Sequence, residues 1–243
     1  MRFLMFVLRA LMVALATIFY GSVSLAVSFF DRHGRRQNSV ARAWARALLW
    51  TSGVRVRVEG IERILPEASY VIASNHASYM DTPVVLASIP VQFRFLAKRG
   101  LFKIPFLGTH LARAGHIPVP REDPRAAVKT MTLAAQIIRE RGISMLIFPE
   151  GGRSRRGELR PFKEGAAYIG IKAGAPIVPI ALIGTRAVLP FGSGCIRPGV
   201  VTLKVGEPID TTKFTLRDRG KVTEDIRAQI IAMLGESVTV AQS

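Results

Sequence analysis

The chain has 243 residues, 49% of them hydrophobic, and carries 34 lysines and arginines against 17 aspartates and glutamates, a net charge of +17. This composition excludes a largely disordered chain, and the single cysteine, Cys195, excludes an internal disulfide. The excess of cations favours an anionic partner, whether phospholipid headgroups, a phosphorylated substrate or nucleic acid.

The first predicted element is an apolar segment from Ala10 to Phe30 that contains no charged residue. A helix of this length covers a hydrocarbon layer of about 30 Å, so the segment predicts a membrane helix. Arginines are more frequent after the segment than before it, which favours a cytoplasmic location for the remainder of the chain. The expected location is therefore a membrane, inner or plasma, with the catalytic domain in the cytoplasm. Three alternatives stay open: a cleaved signal peptide, a helix buried in the core, and a re-entrant or flat membrane element.

The next stretch, Asn38 to Thr51, places Val40, Trp44, Ala47 and Leu48 at helical spacing. This stripe fits an interfacial helix that directs its arginines toward lipid phosphates, and it fits core packing equally well. We therefore predict an N-terminal membrane-anchoring helical segment over residues 1–52 and a single domain over residues 53–243.

Short β-rich runs alternate with helical patterns from residue 53 onward. Val54–Val58 alternates with period 2, as a half-exposed strand does, whereas three other runs are apolar throughout and predict strands buried on both faces: Tyr70–Ala73, Met145–Phe148 and Ile177–Ile183. The predicted helices are Pro83–Ser88, Arg125–Arg141, Glu164–Lys172 and Asp225–Leu234. This alternation predicts an α/β domain with a mostly parallel sheet covered by helices.

A histidine and an aspartate five residues apart follow the first buried run. His76 stands at the expected strand end, and Asp81 precedes the helix expected near Thr82. A turn between them lets the carboxylate accept a hydrogen bond from one imidazole nitrogen and leaves the other nitrogen free to take a proton. The pair is therefore a candidate general base for a hydroxyl nucleophile.

Other interpretations of this pair are available. Asp81 also suits a helix cap, and His76 also suits an ordinary turn. A metal site is disfavoured because two ligands are too few and no other His or Cys has a matching spacing. A serine nucleophile at Ser74 or Ser78 is disfavoured because the chain lacks a Gly-x-Ser-x-Gly elbow.

A second motif, Phe148–Ser154 (FPEGGRS), follows the buried run that begins at Met145. Open α/β sheets bind ligands at the carboxyl ends of their strands, which is where this motif falls. Its glycines allow close approach of the backbone, Arg153 can bind a phosphate with both guanidinium branches, and Ser154 adds a hydroxyl donor. A glycine-rich surface turn is the alternative.

The stretch from Thr82 to Arg121 contains no Asp or Glu but several lysines and arginines. Within it, Lys98–Gly108 alternates cations with large apolar residues. This mixture suits a partner with a charged head and an apolar tail better than it suits nucleic acid. A basic surface that faces a membrane is the alternative.

These blocks, together with the runs Ala114–Val119 and Ile177–Ile180, resemble the glycerolipid acyltransferase family, in particular the 1-acylglycerol-3-phosphate acyltransferases. The resemblance covers residues 55 to 210, and the combination is much more specific than any one block. It implies an α/β acyltransferase fold with N-terminal membrane-associated helices. It also implies acyl-CoA or acyl-acyl carrier protein as the donor.

The resemblance also implies roles for individual residues. His76 and Asp81 would form the catalytic dyad. The acceptor block would contain Glu150, Gly151 and Arg153, with Lys98, Lys103 and Arg121 near the acceptor phosphate. Two positions depart from the commonest pattern: Gly152 stands where Thr is usual, and Pro120 stands where an acidic residue is frequent.

The expected activity is therefore transfer of a fatty-acyl group to the sn-2 hydroxyl of 1-acylglycerol-3-phosphate (lysophosphatidic acid), giving phosphatidic acid. No metal or organic cofactor is expected, and the expected partners are the two substrates and membrane phospholipid, with no nucleic acid. Alternatives within the enzyme class are acylation of glycerol-3-phosphate or of lyso-ornithine lipid. An alternative outside it is a non-catalytic protein that binds anionic lipid or nucleic acid.

Overall fold

The fold is built on one seven-stranded sheet. A computed structural model of the chain describes residues 2–31, 33–120, 122–154 and 157–235. Its strands are β1 (Val54–Glu59), β2 (Val71–Ser74), β3 (Phe93–Lys98), β4 (Ile117–Val119), β5 (Ser144–Ile147), β6 (Ile177–Ile183) and β7 (Gly199–Val205). The strand order is β1-β7-β6-β2-β5-β3-β4.

Among the described residues, five of the six strand pairings are parallel, and only β6 with β7 is antiparallel. The prediction of a mostly parallel sheet is confirmed. The residues of β2 and β5 are all buried, and so are all residues of β6 except the last, as their unbroken apolar runs predict. These three strands are adjacent, so their carboxyl ends meet in the middle of one sheet edge.

Helices cover both faces of the sheet. They are α1 (Arg2–Ser28), α2 (Arg35–Thr51), α3 (Asp81–Ser88), α4 (Leu107–Arg113), α5 (Pro124–Arg141), α6 (Gly165–Ala173), α7 (Thr185–Val188) and α8 (Arg219–Leu234). Successive side chains of a strand point to opposite faces, so β6 contributes Val178, Ile180 and Leu182 to one core cluster and Ile177 and Ala181 to the other. The first cluster also contains residues of α2 and α3, and the second contains residues of α5, α6 and α8.

Asp123 explains the start of α5, because its side chain accepts a hydrogen bond from the backbone of Ala126 at 3.0 Å and Pro124 occupies the first turn. Gly142 ends the same helix in the left-handed conformation, with φ of 61°. The predicted start of this helix is one residue late, whereas α8 begins at Arg219, six residues before the predicted Asp225.

The N-terminal segment forms two helices that run antiparallel. Trp44 Nε1 of α2 donates to Thr17 Oγ1 of α1 at 3.1 Å, and Gln37 Nε2 lies 3.5 Å from Ser24 Oγ. Of the predicted stripe, Leu48 is buried in the first core cluster and Trp44 packs against it, and Ala45 and Leu49 of α2 are buried in the same cluster. Within the described residues, α1 is the one helix long and apolar enough to cross a membrane, and little of it is buried.

Candidate active site

His76 and Asp81 lie together at the carboxyl end of β2. The strand ends at Ser74, and a short turn leads to Asp81, which is the first residue of α3. His76 Nδ1 lies 2.7 Å from Asp81 Oδ2. With the carboxylate accepting from Nδ1–H, the second ring nitrogen, Nε2, is the one that can take a proton.

Asp81 is fully buried, and the turn before it holds its carboxylate in place. Oδ2 accepts backbone hydrogen bonds from Ala77 at 2.8 Å and Ser78 at 2.9 Å, in addition to the imidazole contact. These contacts are not those of a helix cap. The carboxylate of Asp81 accepts from residues of the preceding turn and not from the first turn of α3. A buried carboxylate fixed in this way can orient the imidazole and stabilise its cationic form.

The second motif supports the ring of His76. Strand β5 ends at Ile147, one residue earlier than predicted, so Phe148 belongs to the loop. Its ring is stacked on the His76 ring, with 3.9 Å between the centroids and an angle of 14° between the planes. The imidazole is therefore held on one face by Phe148 and at Nδ1 by Asp81, while 17% of its side chain stays exposed.

Glu150 connects the two motif loops. Its Oε1 accepts from the backbone N–H of His76 at 2.6 Å, and its Oε2 accepts from the backbone N–H of Arg160 at 3.0 Å. Burial raises the pKa of this carboxyl to about 7, although both hydrogen bonds act in the opposite direction. Both oxygens thus bind the protein backbone, which gives Glu150 a positioning contact with the loop that carries His76.

Arg153 lies over an aromatic side chain of the first motif. Its guanidinium carbon is 3.3 Å from the ring centroid of Tyr79 and 5.9 Å from that of Phe191. The Nη1 atom is buried and has no hydrogen-bond partner among the described residues. A buried guanidinium nitrogen with unused donors, in the loop beside His76, is suited to binding an anionic group.

Gly151 and Ser154 shape the same loop. Gly151 has φ of 68°, a left-handed conformation that glycine adopts without strain, and its N–H donates to the carbonyl of Phe148 at 3.0 Å. Ser154 Oγ accepts from the backbone of Gly157 at 3.1 Å. The hydroxyl of Ser154 therefore already has a structural contact within the loop.

The predicted basic residues of the acceptor site are more dispersed. Lys98 ends β3 and Lys103 ends the 3-10 turn that follows, and both side chains are exposed. Strand β3 is two strands from β2, a separation of about 10 Å, on the same sheet edge as His76. Neither lysine lines the pocket beside His76, and Arg121 lies outside the described residues.

Two residues at this edge were not assigned a role from the sequence. Asn75 is buried and binds the backbone of Leu182 in β6 twice, accepting at 2.7 Å and donating at 3.0 Å. Arg186, just beyond β6, donates to the carbonyl of Ser154 at 3.2 Å. Its signal in the sequence is that it is the first charged residue after a buried strand.

The loops after β2, β5 and β6 enclose a pocket beside the dyad. Its lining includes His76, Glu150, Ser154, Glu158, Thr185 and Arg186. Across the described residues, no three His, Cys, Asp or Glu side chains are grouped as a metal site requires. The arrangement supplies an oriented imidazole base, a pocket with polar walls, and an arginine with free donors on the adjoining loop.

Comparison with known proteins adds a family to this geometry. Residues 55–183 match the family model described as "Acyltransferase". The chain is 34% identical over 206 residues to a chloroplastic 1-acyl-sn-glycerol-3-phosphate acyltransferase of Brassica napus, covering 82% of this chain and 59% of that protein. It is 34% identical over 197 residues to the 1-acyl-sn-glycerol-3-phosphate acyltransferase of Borreliella burgdorferi, covering 79% of this chain and 77% of that protein.

A solved structure matches nearly the whole chain. The crystal structure of the 1-acyl-sn-glycerophosphate acyltransferase of Thermotoga maritima has a TM-score of 0.77 and 27% identity. The match covers 98% of this chain and all of that chain. By contrast, this chain spans about three-fifths of the length of the first plant relatives.

Proposed function

Since this chain belongs to the acyltransferase family, together with 1-acyl-sn-glycerol-3-phosphate acyltransferases, we propose that it acylates the sn-2 hydroxyl of 1-acylglycerol-3-phosphate to give phosphatidic acid. The observation that carries the proposal is the His76–Asp81 pair, 2.7 Å apart at the carboxyl edge of the sheet. The donor is a fatty-acyl thioester, either acyl-CoA or acyl-acyl carrier protein, since both present the same reacting group.

In the proposed mechanism, His76 Nε2 removes the proton from the acceptor hydroxyl as that oxygen attacks the thioester carbonyl. Asp81 keeps the imidazole in the required tautomer and stabilises the imidazolium that forms. The tetrahedral intermediate then collapses, the carbon–sulfur bond breaks, and His76 returns its proton to the leaving thiolate. The acyl group has then moved from sulfur to oxygen and the proton from oxygen to sulfur. The reaction therefore needs no further reactant.

We assign Arg153 to the acceptor phosphate. Its buried, unpaired Nη1 supports this role, because a phosphate oxygen would satisfy a donor that is otherwise unmet. Lys98 and Lys103 lie at the same sheet edge and are proposed as weaker, exposed contacts of the same phosphate. With Arg121, they would attract an anionic acceptor more than they orient it.

Residues 1–52 are proposed to attach the enzyme to a membrane. Contacts with the domain extend along α1 from Val13, which packs on the first core cluster, to Ser28, whose hydroxyl accepts from Arg113 at 3.2 Å. These contacts hold about 23 Å of the helix against the domain, whereas the hydrocarbon core of a bilayer is about 30 Å thick. We therefore favour a helix that lies in one leaflet, on the cytoplasmic face, over a spanning one.

The reaction is tested with purified protein in detergent, labelled palmitoyl or oleoyl thioester and lysophosphatidic acid. Wild type should form phosphatidic acid, and His76→Ala should lose this activity. His33→Ala is the matched control, because His33 is an exposed histidine outside the site. Arg153→Lys should raise the KM for the acceptor, since an ammonium cannot replace the guanidinium geometry.

Two outcomes would change the proposal in different ways. Wild type that is inactive on lysophosphatidic acid but acylates glycerol-3-phosphate or lyso-ornithine lipid would retain the dyad and replace the acceptor. A His76→Ala variant as active as wild type would remove the proposed base itself.

A further inference from the structure

The segment Lys98–Gly108, here called the basic-apolar segment, exposes an unusual number of large apolar side chains. Leu101, Ile104 and Leu107 are each between 37% and 46% exposed, and Phe106 is 79% exposed. Single exposed apolar residues are common on protein surfaces, whereas four within seven consecutive residues concentrate apolar surface in a small patch. This patch is separate from the pocket beside His76.

The segment is tightly folded, so its exposure is built into the structure. The N–H of Gly108 donates to the carbonyl of Ile104 at 2.7 Å, and a Cβ at Gly108 would collide with the carbonyl of Phe102. Phe106 has φ of 60°, the one positive φ of a non-glycine residue in the described part of the chain. Such a conformation is unfavourable for a residue other than glycine and persists where the surrounding structure imposes it.

The charge around the patch is of one sign. Lys98, Arg99 and Lys103 are exposed between the apolar residues. The sequence contains no Asp or Glu from Thr82 to Arg121, so no acidic residue near in sequence offsets these cations. Apolar side chains interleaved with cations fit a surface that is apolar inside and anionic outside.

The segment also lies beside the N-terminal helix. His110 Nδ1 of α4 is 2.9 Å from Ser24 Oγ of α1, and Arg113 of α4 contacts Ser28 of α1, so the two helices run in the same direction. Phe106 precedes His110 by one turn, which places it near the level of Tyr20. Ile18 and Phe19, in that part of α1, are among its most exposed side chains.

From these observations we propose that the basic-apolar segment is a second membrane contact, which inserts Phe106 and its apolar neighbours into an anionic phospholipid bilayer. Arg99, which has no role at the acceptor, binds a lipid phosphate at the same surface, and Lys98 and Lys103 add to the positive charge that attracts anionic lipid. Because the segment starts at Lys98, on the sheet edge that carries His76, this contact turns the catalytic edge toward the lipid surface. It does not depend on which hydroxyl the enzyme acylates.

The experiment measures depth in the membrane with the full chain. Cys195 is replaced by Ser, a bimane label is placed at Phe106→Cys, and the protein is reconstituted in vesicles of phosphatidylcholine and phosphatidylglycerol. Quenching by a nitroxide on a lipid acyl chain is compared with quenching by aqueous iodide. Val128→Cys is the matched control, since Val128 is an apolar, 52% exposed residue on α5, across the sheet from α1 and α2.

We expect the lipid nitroxide to quench the label at 106 several-fold more than the label at 128, and iodide to show the reverse order. Omitting phosphatidylglycerol or introducing Arg99→Glu should reduce the lipid quenching at 106. Ile104→Cys, at a less strained position of the segment, repeats the measurement in case Phe106→Cys folds poorly.

Two results would overturn the proposal. If iodide quenches the label at 106 as strongly as the label at 128, the segment is exposed to water and does not enter the bilayer. A label shielded from both quenchers would show a protein interface instead. Quenching needs no turnover, so a failure of the proposed reaction and a failure of this contact are distinguished.

Discussion

Replacing Glu150 by Gln tests whether this residue positions the catalytic loop or binds the acceptor. In the structure both carboxylate oxygens accept backbone hydrogen bonds, one from His76 at 2.6 Å and one from Arg160 at 3.0 Å. Glutamine has one acceptor oxygen and a donor NH₂ group. The substitution therefore places a donor against one of the two backbone N–H groups while it preserves size and shape.

The expected size of the effect follows from the lost hydrogen bond. A hydrogen bond to a charged group contributes about 1.5–3 kcal/mol, and each 1.4 kcal/mol corresponds to a factor of ten. If the loss falls on the placement of His76, kcat should decrease roughly 10- to 100-fold. The KM for the acceptor should change little, because neither oxygen of Glu150 is free to bind substrate.

The assay is steady-state kinetics with the concentration of each substrate varied in turn. Glu164→Gln is the matched control: it removes the same charge from a half-exposed residue whose contact is an ion pair with Arg219 at 2.6 Å. It should leave kcat close to wild type. An unchanged kcat together with a raised acceptor KM in Glu150→Gln would refute the positioning role and support the acceptor role that the family resemblance implies.

Three further predictions concern residues that hold His76 and its surroundings in place. Because burial raises the pKa of Glu150 to about 7, the folded chain binds more protons than the unfolded chain between about pH 4.5 and 7. The free energy of unfolding should therefore fall by about 3 kcal/mol as pH rises through this range, and melts of Glu150→Gln at pH 5 and 8 should lack this contribution. Asp81→Asn should lower kcat by a factor of about 100 or more at unchanged circular dichroism, because the amide cannot hold the imidazole in the required tautomer. Asn75→Ala leaves two backbone groups of Leu182 unpaired, so denaturant unfolding should show a loss of roughly 2–4 kcal/mol, and an unchanged midpoint would contradict this account.

The three central strands could be predicted from the sequence because both of their faces are buried in apolar surroundings. Strands β2, β5 and β6 are buried on both faces, so nearly every position is apolar and the run itself marks the strand. The helices α5 and α6 follow from their periodicity, and their ends fall within one residue of the prediction. Uniform burial and a regular period can both be recognised within a short stretch of a single sequence.

The outer strands β3, β4 and β7 were not predicted, and β3 shows why. It contains Arg94, which the sequence alone marks as a surface residue. The structure buries this side chain, and its guanidinium donates to the carbonyls of His33 and Ala114. The compensating acceptors lie 61 and 20 residues away, so no local pattern reveals that a cation is tolerated in the strand.

The candidate site divides in the same way. The pairing of His76 with Asp81 follows from a spacing of five residues, which one turn closes. The contact of Glu150 with the His76 backbone joins residues 74 positions apart and involves a backbone group that has no signature in the sequence. The role of Glu150 therefore becomes visible only when the carboxyl ends of β2 and β5 are placed side by side.

The position of His76 is fixed from several directions at once, and this has a physical reason. Asp81 binds the turn from α3, Glu150 binds it from the loop after β5, and Asn75 ties it to β6. Ser78 adds a hydrogen bond from its hydroxyl to the carbonyl of Leu189 at 2.8 Å. A base that must meet a hydroxyl within a few tenths of an ångström cannot depend on one flexible contact, because each free rotation would lower the population of the reactive geometry. Several buried polar contacts from three elements of the fold remove those rotations before substrate arrives. The free-energy cost of ordering the site is therefore met when the protein folds and does not add to the barrier of the catalytic step.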